Sequence, residues 1–159
     1  MGSRLDTQVA YIAGFLDGDG SIMLQVKQRS DTKRGVRFMA TICLYQDTAH
    51  ADTLTWMREI LGVGYIAHRN DGITELRING FASVKRVLTQ LQPYVRFKYV
   101  QLAAMQQACT ILETTRVSKM SEQQLREVVD LIYVIKNHNY KSSHQLTKDT
   151  LLLRLGLTP

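Results

Sequence analysis

Apolar and small residues recur at three- and four-residue spacing over residues 7–16, which predicts a helix. Ala10, Ala13 and Gly14 leave part of its surface almost bare. Backbones can approach closely over such residues, so this face is expected to pack against another helix, within one subunit or across a subunit boundary. At residues 21–29 the period changes to two. Ile22, Leu24 and Val26 fall on one face of a strand, and Met23, Gln25, Lys27 and Arg29 on the other. A polar turn over residues 30–35, carrying Lys33, leads to a second such strand at 37–44. Here Phe38, Ala40, Ile42 and Leu44 alternate with Arg37, Met39, Thr41 and Cys43. A further hairpin is predicted at 64–69 and 74–79 around the turn signal Asn70-Asp71-Gly72, with Leu76 and Ile78 opposing Glu75, Arg77 and Asn79.

Helices fill the intervals. Asp47 or Thr48 can cap one that passes through Leu54, Met57 and Ile60 to a stop at Gly62. Others are expected at 81–91, ended by Pro93, and at 96–114. Ser121 and Gln124 have capping-box spacing before a helix through Leu125, Val128, Ile132 and Ile135, and a short segment at 147–155 closes the chain. The fold class is therefore α+β: an αββαββα core with a four-stranded antiparallel sheet covered by helices on one face, plus a helical tail. With 159 residues, 45% of them apolar and no low-complexity linker, residues 1–159 read as one domain. No apolar run is long enough to span a membrane, no secretory leader is seen, and the two cysteines fit no disulfide or zinc framework; an intracellular protein is expected.

Charge adds a partner class. Twenty Lys+Arg against fourteen Asp+Glu give a net charge of +6, which favours a polyanion. The outward strand positions Met23, Gln25, Lys27, Arg29, Arg37, Thr41, Tyr65, Arg69, Glu75, Arg77 and Asn79 include the side chains that read base edges, and Lys33 lies in the adjoining turn. A strand of about nine residues spans about 30 Å, or roughly nine base pairs.

The chemistry concentrates where the first helix ends. Ile12-Ala13-Gly14-Phe15-Leu16-Asp17-Gly18-Asp19-Gly20 places two carboxylates at a helix C-terminus, where each acid is disfavoured by about 0.3–1 kcal/mol. A divalent cation between hard oxygen ligands is the natural partner for them. Gly18-Asp19-Gly20 is no phosphate loop, since it ends a helix and lacks a Walker lysine. Neither cysteine has a nucleophile constellation, and the histidines form no zinc set with them.

The nine-residue segment resembles the LAGLIDADG box of the homing endonucleases, with identity at Ala13, Gly14, Asp17, Asp19 and Gly20. The resemblance continues through Tyr45-Gln46-Asp47-Thr48, Leu61-Gly62-Val63-Gly64-Tyr65 and Leu88-Thr89-Gln90-Leu91-Gln92-Pro93 to the basic Arg96 and Lys98, and covers essentially the whole chain. It is nearest the single-box, homodimeric branch encoded in chloroplast group I introns. That resemblance implies a homodimer joined through the box helix at Ala10, Ala13, Gly14 and Asp17, with the sheets as a saddle on double-stranded DNA. Asp19 and the Gly18 carbonyl would hold Mg2+ (or Mn2+), with no organic cofactor and no membrane partner. Asp17 would be structural, capping the partner helix. Gln46 would position the water beside the metal, and Lys98 would supply positive charge. His50 stands where close relatives carry a second basic catalytic residue. His138, Asn139 and Lys141 lie in a polar loop that would contact phosphate, while His68 follows the inward alternation of its strand and is expected to be packed. The rival reading is a non-cleaving nucleic-acid module such as an intron RNA maturase; Asp19, Gln46 and Lys98 together favour the nuclease.

Overall fold

Ser3 opens the first helix three residues earlier than the apolar periodicity suggests. Its Oγ accepts from the Asp6 amide at 3.2 Å while the Asp6 carboxylate accepts from the Ser3 amide at 2.7 Å, so two orphan donors are satisfied reciprocally. The computed structural model describes residues 2–139 and 146–159. In it, α1 spans Arg4–Asp19 and is followed by β1 (Gly20–Gln28), β2 (Val36–Asp47), α2 (Ala51–Leu61), β3 (Tyr65–His68) and β4 (Ile73–Asn79). Then come α3 (Phe81–Leu91), α4 (Tyr99–Thr114), α5 (Glu122–His138) and α6 (Lys148–Arg154).

The helix-to-strand corner at Gly20 admits no side chain. A Cβ there would lie 2.7–2.9 Å from Leu16 atoms, which is why α1 can run directly into β1. The two hairpins join through their central strands, giving an antiparallel sheet in the order β1-β2-β4-β3. Strand β2 is longer than its apolar alternation because pairing continues through Gln46↔Thr74 and Asp47↔Ile73. Inward residues Ile22, Ile42, Leu44, Leu76 and Ile78 are fully buried against Ile12 and Leu16 of α1, Leu54 and Met57 of α2, and Val84 and Leu88 of α3. Burial of each such side chain contributes about 1.5–3 kcal/mol.

The tail is tied back to the sheet. Arg34, in the β1–β2 turn, donates to the carbonyls of Val117, Met120 and Leu155 at 3.2–3.4 Å, so the hairpin tip and the C-terminal helices are clamped by one guanidinium. Cys43 and Cys109 are buried and free, and burial pushes their thiols up to about 11 and about 12, so both are inert packing residues. No described helix is long and apolar enough to cross a membrane.

Candidate active site

Helix α4 starts at Tyr99, not at Arg96, because Asp17 reaches across to its N-terminus. One carboxylate oxygen of Asp17 accepts from the Arg96 amide at 2.6 Å and the other from the Lys98 amide at 2.9 Å. Lys98 answers with its side chain: Nζ donates to the Asp17 carbonyl at 2.6 Å, in the last turn of α1. Each helix end is thus capped by a residue of the other. The acid disfavoured at the C-terminus of α1 sits at the positive N-terminus of α4, and the ammonium sits at the negative end of α1. This replaces the expectation that Asp17 caps a partner subunit's helix or needs a metal to offset it: Asp17 is buried, and both its carboxylate oxygens are engaged within its own chain.

Asp19 is different. It is exposed at the end of α1, and no hydrogen bond or ion pair from another described residue engages its carboxylate. It lines a cleft of about 1010 Å³ together with Gly18, Gln46 and Lys98, so the sequence-predicted centre is assembled except for one member. That member is His50, which is exposed at the N-cap of α2 and absent from the cleft wall. His50 closes the short helical turn Thr48–His50, which is opened by the Asp47 side chain on the Ala49 amide just beyond the cleft-lining Gln46 and Asp47. Lys98 is only 7% exposed, and burial pushes its ammonium below the usual lysine range while Asp17 and Asp19 pull it back up. Gln46 spends its carbonyl oxygen on the Asp47 amide at 2.9 Å, which leaves its NH2 as the group free to donate into the cleft.

The outward sheet face forms a ladder of polar groups. Met23 and Gln25 lie at the cleft; Lys27, Arg29, Lys33, Arg37, Tyr65, Arg69 and Asn79 are exposed, and Arg77 is half-buried. Two of the candidate base readers are covered by their neighbours. Thr41 donates to Asn79 Oδ1 at 2.8 Å and so orients Asn79, whose amide in turn donates to the Tyr65 hydroxyl at 3.3 Å. Glu75, 3% exposed, accepts from Arg77 Nε at 2.6 Å and from Arg69 Nη1 at 3.2 Å. It therefore aims two guanidiniums and does not itself face a base. Burial raises its pKa, but Arg77 and Arg69 more than offset this and hold it below its ordinary 4.5. With a depressed folded-state value, its contribution is present above pH 4.5 and lost as the pH falls below it. Glu75→Gln is expected to make the acid limb of a urea stability profile shallower, with little change at pH 7 beyond the loss of two charge-assisted hydrogen bonds; an unchanged acid limb would remove Glu75 from that role.

Other expectations sort as follows. Ala13 is fully buried in the subunit core, so it does not belong to a subunit interface; one helical position on, Gly14 is exposed and has no atom within 4 Å of where a Cβ would stand. Together with half-buried Ala10 and exposed Gly18, it makes the small-residue stripe that faces out. Asn139 is occupied structurally: its amide donates to the Ile22 carbonyl of β1 at 2.9 Å and its Oδ1 receives Gln101 Nε2 at 3.4 Å. His138 is exposed at the cleft rim, and Lys141 lies outside the described residues. His68 is exposed at the end of β3, where its Nδ1 lies 2.9 Å from Thr74 Oγ1, because a four-residue edge strand ends before any helix covers it. The cleft also holds Phe97, Gln101 and Lys136, which were not anticipated. Only Lys136 carried a signal: it follows Ile135 and Ile132 at the edge of the buried stripe of α5.

A free carboxylate beside a buried ammonium and an amide donor, opening onto a basic sheet face, suits a protein that acts on phosphodiester backbones. The chain belongs to the LAGLIDADG endonuclease family, whose family profile matches residues 12–109. It is 32% identical over 107 residues to the DNA endonuclease I-CvuI of Chlorella vulgaris, covering 67% of this chain and 66% of that protein. It is 28% identical over 141 residues to the DNA endonuclease I-CreI of Chlamydomonas reinhardtii, covering 89% and 84%. The fold superposes on the crystal structure of I-CvuI bound to its target in the presence of calcium with a TM-score of 0.86, at 25% identity and 98% coverage of both chains. An archaeal intron-encoded homing endonuclease complexed with DNA, I-Vdi141I, shares the fold with a TM-score of 0.83 at 20% identity.

Proposed function

We propose that this protein is a site-specific homing endonuclease that works as a homodimer on a long, roughly palindromic duplex and hydrolyses one phosphodiester in each strand with a divalent cation, Mg2+ or Mn2+. The observation that carries the reading is the free Asp19 carboxylate in one cleft with Lys98 and Gln46, at the border of a base-reading sheet, in a chain of this family. The donor set fits a hard cation. Asp19 offers carboxylate oxygens and Gly18 one of the last four carbonyls of α1, which have no partner within the helix. Among the described residues no group of three or more His, Cys, Asp or Glu could hold an ion by itself, so the remaining ligands come from phosphate, water or a second subunit. A divalent cation, when bound, supplies an activated water and neutralises charge on the leaving oxygen.

The chain's own groups do the rest. The Asp17–Lys98 exchange fixes the end of α1, and with it the backbone from which Asp19 projects. The Lys98 ammonium keeps donors beyond the one spent on Asp17 and presents positive charge to the strand in the cleft. The Gln46 amide donates to an oxygen of water or phosphate beside it. The basic sheet face, from Lys27 and Arg37 to Arg69 and Arg77, holds the duplex in register. Algal relatives support a role in intron mobility within a chloroplast. The direct test is cleavage of a randomised duplex library by the purified protein with magnesium, with and without a chelator. Cleavage at a selected site that stops on chelation is expected, and binding without any cleavage would favour the RNA-maturase reading.

The homodimer rests on one acid box per chain and on the outward stripe Ala10, Gly14 and Gly18. Gly14→Leu is expected to leave the subunit folded, because nothing lies within 4 Å of where its Cβ would stand on this exposed face and helix propensity improves by up to about 1 kcal/mol. Dimerisation and cleavage should be lost together, because overpacking a close helix contact costs at least about 1–3 kcal/mol. Sedimentation of a normally active dimer would place the interface elsewhere.

A further inference from the structure

We infer that Lys136 is a second phosphate-binding cation of the cutting cleft, beside Lys98, on a wall that His50 does not line. The inference rests on the endonuclease reading above and extends it to a residue of α5. Lys136 lies in the last turn of α5 and lines the same cleft as Asp19, Gln46 and Lys98, with Met23 and Gln25 at the boundary to the base-reading face. A strand that crosses from that face to Asp19 passes this wall.

Three features make Lys136 a built group and not a loose surface lysine. Its ammonium sits 5.1 Å from the centroid of the Tyr133 ring, and the Tyr133 hydroxyl is itself anchored on the Leu146 carbonyl. The end of α5 is pinned beneath it: Gln101 Nε2 donates to the His138 carbonyl at 2.8 Å and Asn139 ties to β1. Lastly, other charges of α5 and α6 are paired where they serve structure. Arg126 of α5 meets Glu122 at 2.8 Å, and Lys148 of α6 meets Asp130 of α5 at 2.6 Å, while no ion pair engages Lys136 among the described residues. Burial also pushes the Lys136 ammonium below the usual lysine range, a cost that an approaching phosphate oxygen offsets.

The competing structural role is relief of the negative C-terminal end of α5, where a cation stabilises without touching any ligand. The two roles separate in Lys136→Met, which keeps the stem over Tyr133 and removes the charge. Affinity for a mixed-sequence duplex of about 20 base pairs, followed against salt, should show a slope smaller by about one phosphate contact. Single-turnover cleavage of a target recovered by selection should fall at least about tenfold, with the thermal midpoint within about 2 °C of wild type. Lys136→Arg should restore both readouts, and Lys148→Met, outside the cleft, should alter neither. A Lys136→Met protein with wild-type salt slope and cleavage rate, or one that loses only thermal stability, overturns the assignment while leaving the endonuclease reading intact. A wild-type protein that cuts no member of the library overturns the endonuclease reading, and the catalytic part of this inference falls with it.

Discussion

Asp19→Asn protein is expected to bind its selected target within a few-fold of wild type and to cut it at least about a thousandfold more slowly. The side chain keeps its shape, and no described residue hydrogen-bonds or ion-pairs with it, its charge being felt only by the neighbouring Lys98 ammonium, so the fold and the sheet face are untouched. What is lost is the anionic oxygen donor of the cleft. Metal-derived stabilisation of developing charge amounts to several kcal/mol, and each 1.36 kcal/mol is a tenfold in rate. Electrophoretic binding and single-turnover cleavage, measured side by side with magnesium, would check it. A near wild-type rate would end the assignment of Asp19 as the metal carboxylate.

Asp17→Ala is expected to produce the opposite phenotype, a protein that fails first in stability. Two amides in the segment leading into α4, those of Arg96 and Lys98, lose their only charged acceptor, and the Lys98 ammonium loses the stronger of its two countercharges, Asp17 acting more strongly than Asp19. Leaving buried donors unsatisfied, added to the loss of a helix cap, costs about 2–5 kcal/mol. For a chain of this size that lowers the thermal midpoint by roughly 5–15 °C. Urea unfolding should place Asp17→Ala well below Asp19→Asn. Equal midpoints for the two variants would mean that the reciprocal capping contributes little.

The contrast between these neighbouring acids shows what a linear reading can and cannot see. The hairpins were legible because alternation and the Asn70-Asp71-Gly72 turn are local, and Gly72 adopts the left-handed φ of +82° that such a turn requires. Asp19, Gln46 and Lys98 were legible as a set through their flanking segments. The partner of Asp17 was not, because it lies some eighty residues away just ahead of α4 and nothing in the box encodes it. Ala13 and Gly14 differ by a rotation of about 100° around α1, and composition alone cannot say which of two small residues turns inward. Thr41 and Glu75 occupy outward positions as their alternation requires, yet are buried, Thr41 beside Asn79 of the neighbouring strand and Glu75 between Arg77, two residues on in its own strand, and Arg69, just past the end of β3. His50 is placed in a short helical turn after β2, outside the cleft lining, and that turn has no signal in the apolar alternation.

The exchange of caps between α1 and α4 also bears on how the protein comes into being. Asp17 and the backbone that receives it are 79 to 81 residues apart in the chain, so the contact closes a long loop whose entropic cost is recovered only when the rest of the fold brings the two ends together. During synthesis the box helix emerges long before Lys98 does. A nascent or truncated chain can thus display the acid-bearing helix without a fixed end to hold Asp19, and cutting power should arrive only with the last long-range contacts. In a member of an endonuclease family, that ordering ties the acid of the cleft to a completed chain.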